Sequence, residues 1–299
     1  MTTPLTPLSV APVAQTAGWR DRLSFLRYQI GRSPLTIAGL AITCIVLLCM
    51  IFAPWLAPHD PNAVNLAHRL AAPSAQYWFG TDEVGRDLFS RVLHGSQQSV
   101  GVGLFVAFSS CLIGGLLGCM SGVIGGRFDS LIMRLMDIML SVPSLVLIMA
   151  LTAALGPSLF NAMLAITLVR IPFYVRLARG QALSIRQMGY VKAAQTFGAG
   201  RWHIVLWHVA RNATPPLLVQ LSLDIGAAIL MASALGFIGL GAQQPTAEWG
   251  AMVATGRKYI LDQWWYSTFP GLAILITATG FNLLGDGVRD LLDPRQQGK

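Results

Sequence analysis

Apolar residues run for 17 to 25 positions at a time in six places along the chain, and polar residues gather between them. The runs are 35–57, 100–122, 138–155, 159–175, 217–241 and 266–285. A helix rises 1.5 Å per residue, so about 20 apolar residues cross the roughly 30 Å of bilayer hydrocarbon. The pattern predicts an all-α, polytopic membrane protein with six transmembrane helices. Ser33 and Pro34 suit the N-cap and first turn of span one. That run is too long for the h-region of a cleaved signal peptide, about 7 to 15 residues, and reads as a retained span. Before it, residues 1–18 are rich in Pro, Thr and Ala without periodicity and read as a disordered tail. Trp19, Leu23, Leu26 and Ile30 then follow 4, 3, 4 spacing with Arg20, Arg22 and Arg27 off that stripe, which predicts a short helix on the membrane surface, touching lipid.

Composition strengthens this picture. Only 11% of the 299 residues are charged and mean hydropathy is +0.58, against about 25% charged in a soluble domain. The net charge of +8 raises nucleic acid as a partner, but its distribution removes that reading. Sixteen Lys and Arg lie in the N-terminal segment, 123–137, 170–213 and the C-terminal tail, and five in the other loops. The positive-inside rule then puts both termini in the cytoplasm, and no aromatic-interleaved basic stripe accompanies the charge. Cys44, Cys49, Cys111 and Cys119 lie inside apolar runs without metal-site or disulfide spacing, and read as packing residues.

Within the spans, Gly114, Gly118, Gly122 and Gly126 recur every four residues, a helix-packing face in a solvent that gives apolar surfaces no drive to associate. Pro143 and Pro172 predict kinks in spans three and four. Arg170 and Asp224 are ionisable groups well inside spans four and five, at similar depths of roughly 8 and 10 Å from the cytoplasmic side. A charge there demands a partner or a wet cavity, so the two either pair or line a translocation path. The alternative is that Arg170 snorkels and Asp224 sits at a helix end. No P-loop, HExxH or GxSxG occurs, and His59, His68, His94, His203 and His208 fall outside the apolar runs. Neither a nucleotide-hydrolysing site, a resident cofactor nor a metal site is expected, and the chain is not read as an enzyme.

The longest polar insertion, 190–212, reads YVKAAQTFGAGRWHIVLWHVARN. Lys192, Ala193, Ala194 and Gln195 form helix well, Gly198 and Gly200 bracket a turn, and Trp202 to Val209 can start a second helix. With Tyr190, Val191 and Phe197 around the alanines, the segment makes a compact apolar knob suited to a partner's groove, or an interfacial helix.

Here the sequence resembles the membrane-spanning subunits of binding-protein-dependent ABC importers, whose cytoplasmic loop carries an EAA motif followed by a glycine. This chain has Lys192 in place of the glutamate, then Ala193, Ala194 and Gly198. WFGTDEVGRDLFSRVLHGSQQS (78–99) resembles the FGTDxxGRDxxSR signature of peptide and nickel permeases. LGFIGLGAQQPTAEWGAMVATGR (235–257) and FNLLGDGVRDLLDPR (281–295) resemble the end of their C-type subunit. HDPNAVNL, GTDEVGRD and GSQQS are most similar to permeases for D,D-dipeptides such as D-alanyl-D-alanine. From spacing alone, Asp82, Arg86 and Asp87 suggest a local ionic clasp, with substrate contact the alternative, and Asp286, Arg289, Asp290 and Asp293 suggest i,i+3 pairs along a helix that Pro294 stops.

The resemblance implies a permease domain at 35–295, preceded by 1–34 and followed by a tail at 296–299, in the bacterial inner membrane. It implies a heterodimer with a homologous permease subunit, two ATP-binding subunits contacting Tyr190, Lys192, Ala193, Ala194, Phe197 and Gly198, and a periplasmic peptide-binding protein. The rival reading is an ion-coupled secondary transporter acting alone, for which internal repeats and more membrane carboxylates would be expected.

Overall fold

The computed structural model describes residues 33–292. The surface helix expected at 19–30 and the tail at 296–299 lie outside the described residues. Those that are described fold into helices. They are α1 (Pro34–Leu56), α2 (Leu88–Ile124), α3 (Gly126–Leu140), α4 (Ser144–Leu155), α5 (Leu159–Ile185), α6 (Gly189–Thr196), α7 (Arg201–Ile238), α8 (Trp249–Gly256) and α9 (Trp265–Leu292). Within α7 the turn Ile204–Ala210 is π-helical. Five of them, α1, α2, α5, α7 and α9, are long and apolar enough to cross a membrane, and a sixth crossing exists if α3 and α4 count as one bent span.

The helix starts follow the chemistry of their caps. Ser33 Oγ accepts from the Thr36 N–H, Asp87 Oδ2 from Ser90, and Ser158 Oγ from Asn161 at 3.1 Å, each satisfying an otherwise orphaned donor. Gly239, at φ 89°, closes α7 in the left-handed conformation.

α2 is the central strut: it packs against α5, α7 and α1, and α9 closes the bundle against α7 and α1. Small residues set these approaches. A Cβ at Gly114 would lie 2.6 Å from the Tyr174 Cβ, and one at Gly122 2.5 Å from that of Ala182. At Gly118 it would meet the Ala178 Cβ at 2.7 Å. Three glycines of α2 therefore hold the backbone of α5 at a distance no larger residue permits. Gly126 does not share this face. It opens α3 at φ 61° with no atom near its missing Cβ, because the helix has already ended at Gly125.

Several spans differ from the hydropathy pattern: α5 continues past the run ending at 175 to Ile185, α7 starts at Arg201, well before the run at 217, and α2 and the third run differ further. α2 begins at Leu88, twelve residues before the apolar run at 100, because the Asp87 cap starts a helix whose first turns are polar yet buried, with Ser90, Arg91, Ser96 and Ser99 all inside. His94 therefore sits on a helix and not in a loop. The third run is a broken element: α3 and α4 meet at 91° around Ser141–Pro143. Pro143 cannot extend α3 because it lacks the N–H, so it occupies the cap position of α4 and produces a corner where a kink was expected. The i,i+3 ion pairs expected among Asp286, Arg289 and Asp290 do not form among the described residues.

Candidate functional site

Three groups of chemistry-bearing residues are distributed along the bundle axis: one at the α8 end, one in the interior, one at the α6 end. In the interior, Arg170 on α5 and Asp224 on α7 form a two-pronged ion pair, Nη2 to Oδ1 and Nε to Oδ2 at 3.1 Å. Gln220, one turn before Asp224, donates to Oδ1 at 3.3 Å, and the guanidinium lies 4.7 Å from the centroid of the Phe173 ring. The planar fork of arginine matches the two carboxylate oxygens, and mutual neutralisation makes burial of both charges tolerable. The Asp224 side chain is 2% exposed and that of Arg170 12%.

At the α6 end, the short helix α6 is anchored by one side chain. Val191 is fully buried in a cluster with Ile204, Val205, Val209, Ala178 and Ala182. Most of what surrounds it faces outward: Lys192 and Ala193 are exposed, Ala194 is half-buried, Tyr190 is half exposed and Phe197 is 91% exposed. The Tyr190 ring approaches that of His208 at 6.0 Å. Gly198 follows at φ 86°, a conformation that disfavours any side chain, and turns the chain into α7. The arrangement is a small rigid tip, held from behind by an aliphatic cluster, with an aromatic residue at its apex.

The α8 end holds what the spacing indicated only in outline. Asp82 is fully buried and accepts from the Arg86 Nε at 2.5 Å and from the N–H groups of Val84 and Arg86 at 3.0 and 2.9 Å. Arg91, 1% exposed, approaches the same carboxylate at 3.6 Å and spans to the Pro61 and Pro245 carbonyls. Arg86 also donates to Gln244 at 3.1 Å, and the Tyr266 hydroxyl donates to Glu83. Asp87 caps α2 and faces His59 at 3.5 Å. Gly85, at φ 79°, lets the loop pass over the backbone of Asn65, which any Cβ would strike. Nearby, buried Glu248 caps α8 by accepting from Gly250 and Ala251, both at 2.8 Å, and receives Ser99 Oγ at 3.2 Å. Burial pushes its carboxyl above the usual carboxylate range, and these hydrogen bonds hold it back.

Arg91, Glu248 and Ser99 carry no signal in the spacing of the 78–99 motif. The contacts that join them across the molecule, Arg91 to Pro245 and Ser99 to Glu248, span about 150 residues of sequence, beyond the reach of any local pattern. No cluster of three or more His, Cys, Asp or Glu with metal-binding geometry occurs among the described residues.

A polytopic helical bundle with a buried ionic end, a neutralised interior pair and a protruding tip defines a membrane transport component. The comparisons name the family. Residues 114–298 match the binding-protein-dependent transport system inner membrane component, and residues 26–73 match the N-terminal TM domain of oligopeptide transport permease C. The chain is 70% identical over 291 residues, 97% of each protein, to the probable D,D-dipeptide transport system permease protein DdpC of Escherichia coli (strain K12). It is 45% identical over 265 residues to the di/tripeptide transport system permease protein DppC of Pseudomonas aeruginosa (strain UCBPP-PA14), covering 87% of this chain and 88% of that one. With the dipeptide transport system permease protein DppC of Escherichia coli (strain K12) it shares 45% identity over 270 residues, 88% and 90% of the two chains. The chain belongs to the binding-protein-dependent ABC transport permeases, in their oligopeptide-permease-C branch. It is the multi-pass inner-membrane component of such a system, which works with a binding protein and an ATPase, and is not itself the enzyme.

Proposed function

We propose that this chain forms half of the translocation pathway of a dipeptide importer, with D,D-dipeptides such as D-alanyl-D-alanine as its cargo. The observation that carries the cargo assignment is the 70% identity, over 97% of both chains, to a relative named for D,D-dipeptide transport. The other half is a homologous permease subunit. Two ATP-binding subunits grip the α6 tip through Tyr190, Lys192, Ala193, Ala194, Phe197 and Gly198, and a periplasmic peptide-binding protein docks on the α8 end. The permease domain covers 35–295, the termini are cytoplasmic, and the α6 end faces the ATPases. In support, the Lys and Arg bias marks the same end, and an exposed aromatic apex on a firmly seated helix is the shape a partner's groove accepts.

ATP-driven closure of the two ATPases then moves α6, and α6 moves α7 through the turn at Gly198 and the cluster around Val191. The Arg170 to Asp224 pair joins α5 to α7 along that route, so a shift of α7 either carries α5 with it or opens the pair toward the pathway. Vesicles containing the whole complex should accumulate labelled D-alanyl-D-alanine only with ATP and binding protein both present. Accumulation driven by an ion gradient alone would overturn the assignment in favour of a secondary transporter.

A further inference from the structure

The helix α3 is drawn almost entirely from the polar stretch between spans two and three, since only its last three residues belong to the apolar run that begins at 138. It leaves α2 through Gly125 and Gly126, both at positive φ, and meets α4 at 91°. Its two acids fix how it sits. Asp129 takes the fork of Arg179, Nε to Oδ1 at 2.6 Å and Nη2 to Oδ2 at 2.7 Å, and also accepts from Ser121. Asp137 accepts from Arg176 Nη2 at 2.6 Å. The two acids are about 12 Å apart along α3, whereas the two arginines are only about 4.5 Å apart along α5. α3 therefore runs across α5 and not along it. Its level follows as well, because Arg176 and Arg179 are the first and fourth residues beyond the apolar run that ends at 175. The helix lies at the edge of the hydrocarbon, at the end of the bundle where α5 leads on to α6.

The two sides of α3 differ. Met136 is buried against Ile171 and Val175 of α5, with Ile132, Met133 and Met139 packed around the contact. On the outer side Leu131, Leu135 and Ile138 are each more than half exposed, and at 3.6 residues per turn they fall within about 60° of one another. Arg127 and Arg134 are exposed on one edge of that stripe, about 20° apart around the helix. Neither takes part in a salt bridge among the described residues. The acids of the helix that could neutralise them are committed to Arg176 and Arg179. A leucine-rich stripe edged by two uncompensated arginines, on a helix lying across the bundle at the hydrocarbon boundary, is the pattern of a helix in the plane of the interface. Acyl chains cover its apolar side, and the arginine stems reach past them to the headgroups. The guanidinium fork matches phosphate oxygens in particular.

We infer that α3 is embedded in the leaflet at the α6 end and that Arg127 and Arg134 form a site for the phosphate of an anionic phospholipid. α3 is then the foot of the broken span and α4 its rising leg. The inference goes beyond the importer reading and is independent of the cargo.

The test uses the complete complex in vesicles of phosphatidylcholine and phosphatidylglycerol, with a coumarin amino acid in place of Leu135 or, as a control on the polar edge, in place of exposed Ser130. A nitroxide carried just below the headgroup of a fraction of the lipid reports contact by quenching. The apolar side of an interfacial helix reaches about 5–10 Å into the leaflet, so quenching at 135 should exceed that at 130 about threefold. Weak and equal quenching at the two positions would mean that a protein subunit covers the stripe, and would overturn the inference. With the nitroxide on phosphatidylglycerol, quenching at 135 should be about two- to fivefold stronger than with the same content on phosphatidylcholine, as expected for arginines near an anionic surface. Arg127→Gln combined with Arg134→Gln should bring the two lipids level. Equal quenching by both lipids with the arginines present, or a preference that survives their loss, would overturn the headgroup site. None of these outcomes bears on peptide uptake, which the importer reading stands on separately.

Discussion

The two ends of the bundle solve opposite problems with different kinds of residue. At the α8 end Asp82, Arg86, Asp87, Arg91 and Glu248 are each no more than 5% exposed; Asp82 and Asp87 bond locally, while Arg86, Arg91 and Glu248 also reach partners far away in sequence. At the α6 end one valine anchors the helix while Phe197 is 91% exposed. The first arrangement spends its polar groups on holding itself in shape; the second leaves its surface unfinished. A finished end is suited to receiving a partner without rearranging, and an unfinished end leaves surface that the proposed ATPase contact would cover.

Removing Asp82 is the sharpest way to break this contrast. Asp82→Ala leaves Arg86 and Arg91 buried without their shared carboxylate, and stranding a buried charge costs about 3–5 kcal/mol. Thermal unfolding of the detergent-solubilised complex should show that loss, and a shift equivalent to under 1 kcal/mol would mean that the end is hydrated and pliant. The interior pair comes next. Arg170→Gln and Asp224→Asn should each destabilise the fold and reduce uptake, and the double variant should recover part of both losses. The coupling should fall within about 0.5–3 kcal/mol, and strict additivity would mean that the two side chains act separately. Gly198→Val forces a β-branched residue to φ 86° and costs about 1–2 kcal/mol. The protein should still insert, but uptake by the assembled complex should be abolished, and normal uptake would remove the turn from the coupling route. Phe197→Ala should have the smallest effect on stability, within about 0.5 kcal/mol as for an exposed site. It should nevertheless reduce co-purification of the ATPase subunits, and unchanged co-purification would make the tip a bystander.

Much of this contrast is legible in the sequence, though unequally. The spans are visible because lipid imposes a length on apolar runs, and the family is visible because its motifs are long and contiguous. Asp82 and Arg86 could be paired from their spacing because they are four residues apart and meet locally. Arg91 could not be placed: besides Asp82, which it approaches from nine residues away, its partners Pro61 and Pro245 are near neither it nor each other in sequence. Hydropathy also put the start of α2 at 100, because the averaging that finds lipid-facing runs overlooks turns whose serines and arginine are buried against protein. Gly126 extended the four-residue rhythm in the sequence but not in space, since periodicity takes for granted a helix that Gly125 has already ended. Pro143 was recognised as a disruption. Its severity depends on whether the neighbouring residues still support a helix on both sides, and that is a tertiary matter.

The corner at Pro143 bears on how the protein enters the membrane during synthesis. Residues 144–155, at 1.5 Å each, reach about 18 Å, well short of the hydrocarbon thickness. During translation this segment leaves the ribosome before α5, the helix against which it packs. On its own it is too short to cross, so a crossing here must draw on α3 across the 91° corner and on packing against α5.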